Sequence, residues 1–163
     1  MWVERLISVV NWEPLHLDLP WSDIEEGLGT TLSEDYKKLS EAFGNGEFSE
    51  FLQVLSVDSV GHFDLARTWR NHLDATPQEG PDPVFEPYEI YRPGRRGLIS
   101  WGYGENDPAE WSIVTRGARY PWHQVDMCTS EFVYRLLTDR DFEPFSIARL
   151  FPEPDFYPID PVA

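Results

Sequence analysis

Apolar positions recur at helical spacing in several stretches of the chain and at strand spacing in others. Leu32, Tyr36, Leu39 and Phe43 fall at i, i+4, i+7 and i+11, with Glu34, Lys37, Lys38 and Glu41 between them. That is one apolar face of a helix with a wet side opposite, and Gly44-Asn45-Gly46 stops it. Leu65, Trp69 and Leu73, four apart, predict a helix over about residues 63–74. Phe132, Val133, Leu136 and Leu137 predict a final helix, capped by Thr129, with Glu131 near its electropositive end. Ser22-Asp23-Ile24-Glu25 reads as a capping box that opens a short helix, and Gly27 and Gly29 end it. Residues 2–10 fit both a β-rich run and a helical stripe, so pattern alone leaves them open.

Residues 47–57 are aromatic and aliphatic and predict a strand. Residues 97–101, 110–115 and 120–127 predict three more, joined by turn clusters at 102–108 and 116–118. Together they make an antiparallel meander. Proline divides the rest. Residues 77–94 hold Pro77, Pro81, Pro83, Pro87 and Pro93. Proline fixes φ and removes a ladder donor, so this insert reads as loop, with Val84–Tyr91 at most an edge strand. From Phe142 to residue 163 five further prolines accompany Phe145, Ile147, Leu150, Phe151, Phe156 and Tyr157. A segment that apolar predicts an extended arm lying on the surface of the fold.

Composition adds class and compartment. The 163 residues are one domain's worth, and 41% of them are apolar, enough for a real core. No apolar run approaches the roughly 20 residues of a membrane span. The lone cysteine, Cys128, excludes an internal disulfide and fits a reducing compartment, so a cytoplasmic protein is expected.

Charge changes the picture more. Asp and Glu number 29 against 13 Lys and Arg, a net of −16. Residues 1–60 carry −9, residues 61–120 only −2, and residues 121–163 −5. A chain this acidic repels phosphate backbones and anionic membranes, so neither nucleic acid nor membrane is an expected direct partner. Two readings stay open: attraction to a basic partner, or simple solubility.

Candidate chemistry is sparse. Cys128 and His123 are five apart at the end of a predicted strand, whose alternation sends them to opposite faces. A small buried thiol is the simpler reading. His16 lies between Glu13 and Asp18, and His62, Asp64 and His72 flank the 63–74 helix, but neither set has metal-ligand spacing. Gly27-Leu28-Gly29 and Gly102-Tyr103-Gly104 lack the strand–loop–helix order of a phosphate cradle. Paired acids such as Glu25/Glu26, Glu34/Asp35 and Asp139/Asp141 are explained by a solvated face. No catalytic residue, cofactor or metal site is expected. Trp69, Trp101, Trp111 and Trp122 read as core, with any exposed subset suited to a protein interface.

Several segments in order resemble the SUKH superfamily, also called the Smi/Knr family. Trp21-Ser22-Asp23-Ile24-Glu25-Glu26-Gly27-Leu28-Gly29 resembles its opening helix. Leu32-Ser33-Glu34-Asp35-Tyr36-Lys37-Lys38-Leu39 is similar to its "LPxDYxxL" helix, with Ser33 in place of the proline. Phe43-Gly44-Asn45-Gly46-Glu47-Phe48 is similar to its "FGxGxF" turn. Residues 98–107, Trp111, and Ser130-Glu131-Phe132 with Leu136-Leu137 resemble its later strands and closing helix. The match spans about 21–138 and leaves the insert at 77–94 and the arm at 142–163 unmatched.

The resemblance implies one α+β domain over 1–163, a mixed, largely antiparallel sheet flanked by helices. It also implies a non-enzymatic protein-binding module. Bacterial members are mostly immunity proteins that bind and neutralise a cognate toxin in the cytoplasm, and fungal members regulate cell-wall synthesis. The expected partner is a toxin with a basic surface, for instance a nuclease. The alternatives are a stand-alone regulatory or scaffolding protein of the same fold, and a small carboxylate- or Cys-dependent hydrolase. The acidic positions expected to meet a partner are Asp23, Glu25, Glu26 and Glu34, with Glu105 and Asp107 in the polar turn. The stoichiometry is not encoded in these patterns.

Overall fold

The computed structural model describes residues 1–54, 84–92, 95–102, 112–117, 123–142 and 146–159. The predicted 63–74 helix, the 102–108 turn beyond Gly102, Trp69, Trp111, Trp122, Glu105 and Asp107 all lie outside them. The elements run α1 (Trp2–Val9), α2 (Trp21–Leu28), α3 (Glu34–Phe43), β1 (Gly46–Phe48), β2 (Leu52–Val54), β3 (Val84–Arg92), β4 (Arg95–Gly102), β5 (Ser112–Gly117), β6 (His123–Val125), α4 (Thr129–Thr138) and β7 (Phe156–Pro158). The described strands form one seven-stranded sheet in the order β6-β5-β4-β3-β2-β1-β7. Every described pairing is antiparallel, so the mixed sheet expected from sequence becomes a meander with one late addition. The class is α+β.

The open question at residues 2–10 resolves as helix. Val3, Leu6 and Val10 are buried while Glu4, Arg5 and Ser8 are exposed, a helical period rather than an alternation of two. In α3 the whole predicted stripe is buried, and Ser33 caps it by accepting the Tyr36 N–H at 3.3 Å. In α4 Phe132, Val133, Leu136 and Leu137 are all buried as the spacing requires. These stripes meet strand residues Phe48, Leu52, Val54 and Ile113 in one core.

Several elements differ from expectation. The 22–25 capping box does not form: Pro20 is the N-cap of α2, without a side-chain cap, and Glu25 points elsewhere. Gly29, in the left-handed region at φ 76°, ends α2, while Gly27 stays inside it. The 47–57 strand is two short strands, because Ser49 and Glu50 take positive φ and fold β2 back on β1. Of the predicted 120–127 strand, residues 120–122 lie outside the described ones and β6 spans His123–Val125; Cys128 rather than Thr129 is the N-cap of α4.

The 84–91 segment is not at an edge. Strand β3 pairs with β2 on one side and β4 on the other. Its proline is accommodated by a bulge: the register shifts between Phe85 and Tyr88, so Glu86 and Pro87 together oppose Ser100. A bulge is where an interior strand can hold a residue with no donor.

The C-terminal arm supplies the seventh strand. Strand β7 pairs with β1 in the register Gly46↔Pro158, Glu47↔Tyr157 and Phe48↔Phe156. Ser49 N–H to Asp155 C=O and Ile159 N–H to Asn45 C=O, each 2.9 Å, extend the ladder at both ends. Alternation then turns the main-chain groups of Pro154, Phe156 and Pro158 away from β1. Two of those three outward positions have no N–H to offer, which blunts this edge against a further strand.

Candidate protein-binding surface

Helices α2 and α3 carry six carboxylates and two lysines between Trp21 and Phe43. The structure sorts the six into two kinds. Three hold the fold together. The Trp21 indole N–H donates to Glu41 at 2.6 Å, and Trp21 stands edge-on to buried Tyr36. Glu25 accepts the Leu32 N–H at 2.7 Å and the Lys37 ammonium at 2.8 Å, fixing the α2–α3 connection to α3. Asp35 reaches across 95 positions to the start of α4, accepting from the Ser130 N–H at 2.8 Å and from the Ser130 hydroxyl. Ser130 is fully buried and follows an N-cap whose side chain makes no cap bond. Asp35 thus satisfies from a distance one of the orphan donors at that helix start and places negative charge at its positive end.

Electrostatics at the Glu25–Lys37 pair follow from these contacts. Burial pushes the Glu25 carboxyl upward, but the Leu32 N–H and Lys37 together hold it below its ordinary range. Burial pulls the Lys37 ammonium down, and Glu25 and Glu34 raise it above its ordinary range. Lys37 also lies 6.0 Å from the Trp21 ring centroid. Its charge is used inside this small network and does little for the outer surface.

The other three carboxylates face water. Asp23 and Glu26 are exposed, and their carboxylates make no hydrogen bond or ion pair among the described residues. Glu34 touches Lys37 at 3.2 Å with its side chain 78% exposed. Of the four described residues expected from sequence to meet a partner, Asp23 and Glu26 therefore present free negative charge, Glu34 is exposed but shares the Lys37 ammonium, and Glu25 is mostly committed to Lys37 and Leu32. The loop before α2 adds exposed Glu13 and Asp18 and a half-exposed Leu15. It is pinned beneath the end of α3, where Leu15 and Leu17 N–H donate to the Ala42 and Glu41 carbonyls at 2.9 Å. The Trp12 indole N–H joins Ala42 at the same distance. Those bonds satisfy carbonyls that a helix C-terminus leaves without intrahelical partners.

Cys128 is the thiol on which the hydrolase alternative depends, and the side chain of its candidate partner His123 lies outside the described ones. Cys128 lies beyond β6, and its half-buried sulfur is 3.7 Å from the Ser130 hydroxyl. Burial, with the nearby Asp35 charge, pushes the thiol up, away from the thiolate that attacks. Among the described residues no three His, Cys, Asp or Glu side chains are grouped as metal ligands. No described helix is long and apolar enough to cross a membrane.

No family model, curated protein or solved structure matches the chain. The acidic helix pair therefore stands on its own geometry.

Asp35 is the functional-looking residue that sequence reasoning missed. In sequence it is one of an acidic pair at a helix start, and nothing local marks Ser130 as its partner. The sole hint was its place inside the "DYxxL"-like motif, where Asp35, Tyr36 and Leu39 each prove to be structural. The "FGxGxF"-like motif resolves the same way. Phe43 and Phe48 are core, and the Asn45 amide donates to the Ile159 carbonyl at 3.2 Å. At Gly46 an added Cβ would stand 2.5 Å from the Tyr157 carbonyl oxygen, so only glycine lets β7 approach.

Proposed function

We propose that the chain is a non-enzymatic protein-binding module, an immunity protein of the SUKH (Smi/Knr) type that neutralises a toxin by covering a basic surface in the cytoplasm. The observation that carries this reading is the split among the α2–α3 carboxylates. Glu25, Asp35 and Glu41 are bonded within the fold, and Asp23 and Glu26 are left unpaired on one helical pair, beside an exposed Glu34 that shares the single Lys37 charge with Glu25. The −9 concentrated in residues 1–60 supports it, because a one-signed surface steers an oppositely charged partner. The order of SUKH-like motifs supports the toxin-immunity assignment, and the burial that pushes the half-buried Cys128 thiol up weighs against the hydrolase alternative.

The test is a pull-down against the product of the adjacent gene, followed by association kinetics at rising salt. A basic toxin should be recovered, with an on-rate that falls as salt rises. The triple reversal Asp23→Lys, Glu26→Lys, Glu34→Lys should slow association by about tenfold or more. An on-rate indifferent to both salt and reversal rejects this surface. Repeated recovery of a host enzyme in place of a toxin rejects the immunity role in favour of the regulatory alternative.

A further inference from the structure

Among the described residues, the stretch Ile147–Ile159 is held at its two ends with little between them. The first anchor is the turn at 147–151. Ile147 and Ala148 are buried, the Ile147 N–H donates to the Leu136 carbonyl at 3.2 Å, and Phe151 lies 6.0 Å from the Phe51 ring. The second anchor is Asp155–Ile159. Phe156 is buried against Trp12, Phe48 and Phe43 at centroid distances of 4.8, 4.8 and 4.9 Å, and the strand is laddered to β1. Between them lie Pro152, Glu153 and Pro154. Pro152 and Glu153 are exposed, and the two prolines have no N–H with which to tie the connector down.

We propose that Asp155–Ile159 is an exchangeable strand: the β1 edge and aromatic recess of one copy accept this arm from a second copy, giving a reciprocally swapped dimer. The occupant is specified by the recess itself. It is matched to an aromatic residue at the Phe156 position, to a backbone that passes close over Gly46, and to main-chain groups that meet Asn45 and Ser49. A second copy's arm reproduces every one of these contacts, so the exchange changes only the path of the connector. Pro154 and Pro158 keep their outward positions in the swapped form, so the assembly closes at two copies rather than growing by its edge. In the free chain the short connector gives the arm a local concentration in the millimolar range. The closed monomer therefore prevails at ordinary concentrations, and exchange appears when the connector is shortened or the protein is concentrated.

The experiment deletes Pro152 and Glu153, which leaves one residue between the anchors. The shortened chain should sediment as a dimer of twice 19.0 kDa, with Phe156–Pro158 protected from protease as in the parent chain. A monomer whose arm is cleaved freely overturns the proposal, and so does a dimer whose arm is cleaved freely, since another face then holds it. A second measurement does not depend on the deletion folding. The full chain, in two differently tagged forms, is mixed at millimolar concentration, warmed and rapidly diluted. Recovery of the mixed dimer supports exchange, and recovery of tagged monomers alone overturns it.

Discussion

Replacing Gly46 by alanine tests whether the arm is an integral part of the fold. The added Cβ would meet the Tyr157 carbonyl oxygen at 2.5 Å and Phe156 Cε2 at 2.8 Å. One obstacle is backbone, so a side-chain rotation cannot relieve the clash, and β7 must move off β1. Leaving Phe156 in water costs about 1.5–3 kcal/mol. The two ladder bonds at Ser49 and Ile159 add about 0.5–1.5 kcal/mol each. Against this, the freed arm regains conformational entropy, which offsets part of the loss. Alanine also lowers the entropy of the unfolded chain, worth about 0.5–1 kcal/mol. The net expectation is a loss of about 2 kcal/mol, and for a chain of this length a fall in Tm of roughly 4–8 °C. Thermal or urea unfolding measures it, and limited proteolysis should show the arm cleaved before the rest. A cycle with Phe156→Ala sharpens the result. Both changes release the same contacts, so the double variant should lose little more than the worse single one. A Gly46→Ala protein melting within about 1 °C of its parent, with the arm still protected, would refute the close-approach reasoning.

Two other contacts lend themselves to measurement. Asp35→Ala removes the acceptor at the start of α4 and strands the buried Ser130 hydroxyl, for an expected loss of about 2–3 kcal/mol; Ser130→Ala made on top of it should add little, and additive losses would break the link between them. Glu25→Gln should cost about 1–2 kcal/mol at neutral pH. Because the folded-state value of Glu25 is depressed, its contribution is complete above the ordinary 4.5 and drains away as pH falls through the folded value. Lys37, raised, keeps its share until pH climbs past 10.5. The stability gap between parent and Glu25→Gln should therefore narrow on acidification from pH 7 towards pH 3, and a constant gap would remove the pair as its source.

The helices were legible because their period is written in single residues. The stripe Leu32–Tyr36–Leu39–Phe43 and the quartet Phe132–Val133–Leu136–Leu137 appear in the core as the spacing predicts. Strands were harder wherever a proline carried the inference. Pro87 argued for an edge, yet a bulge admits it into an interior strand, and a bulge leaves no mark in composition. Ser49 and Glu50 hid a turn inside an apolar run because neither is glycine, the residue that ordinarily marks positive φ. The acidic surface was half legible. Sequence counts charges but does not show that Glu25 turns to Leu32 and Lys37, or that Asp35 is spoken for by a serine 95 positions away. Long-range polar pairs of this kind have no local signature.

The pairing of β7 with β1 also sets a clock on synthesis. The Asn45–Ile159 contact closes a span of 114 residues, and the Ser49–Asp155 contact one of 106. At about 5–20 residues per second, β1 leaves the ribosome roughly 5–20 s before its partner. The hydrogen bonds within α1 and α3 are local, so their turns can form early, but the α4 face they pack against also emerges late. Throughout that interval the β1 edge is bare, and Trp12, Phe43 and Phe48 surround a recess that Phe156 later fills. The nascent chain is therefore most open to mispairing along Gly46–Phe48, and that edge is sealed when Asp155–Ile159 arrives.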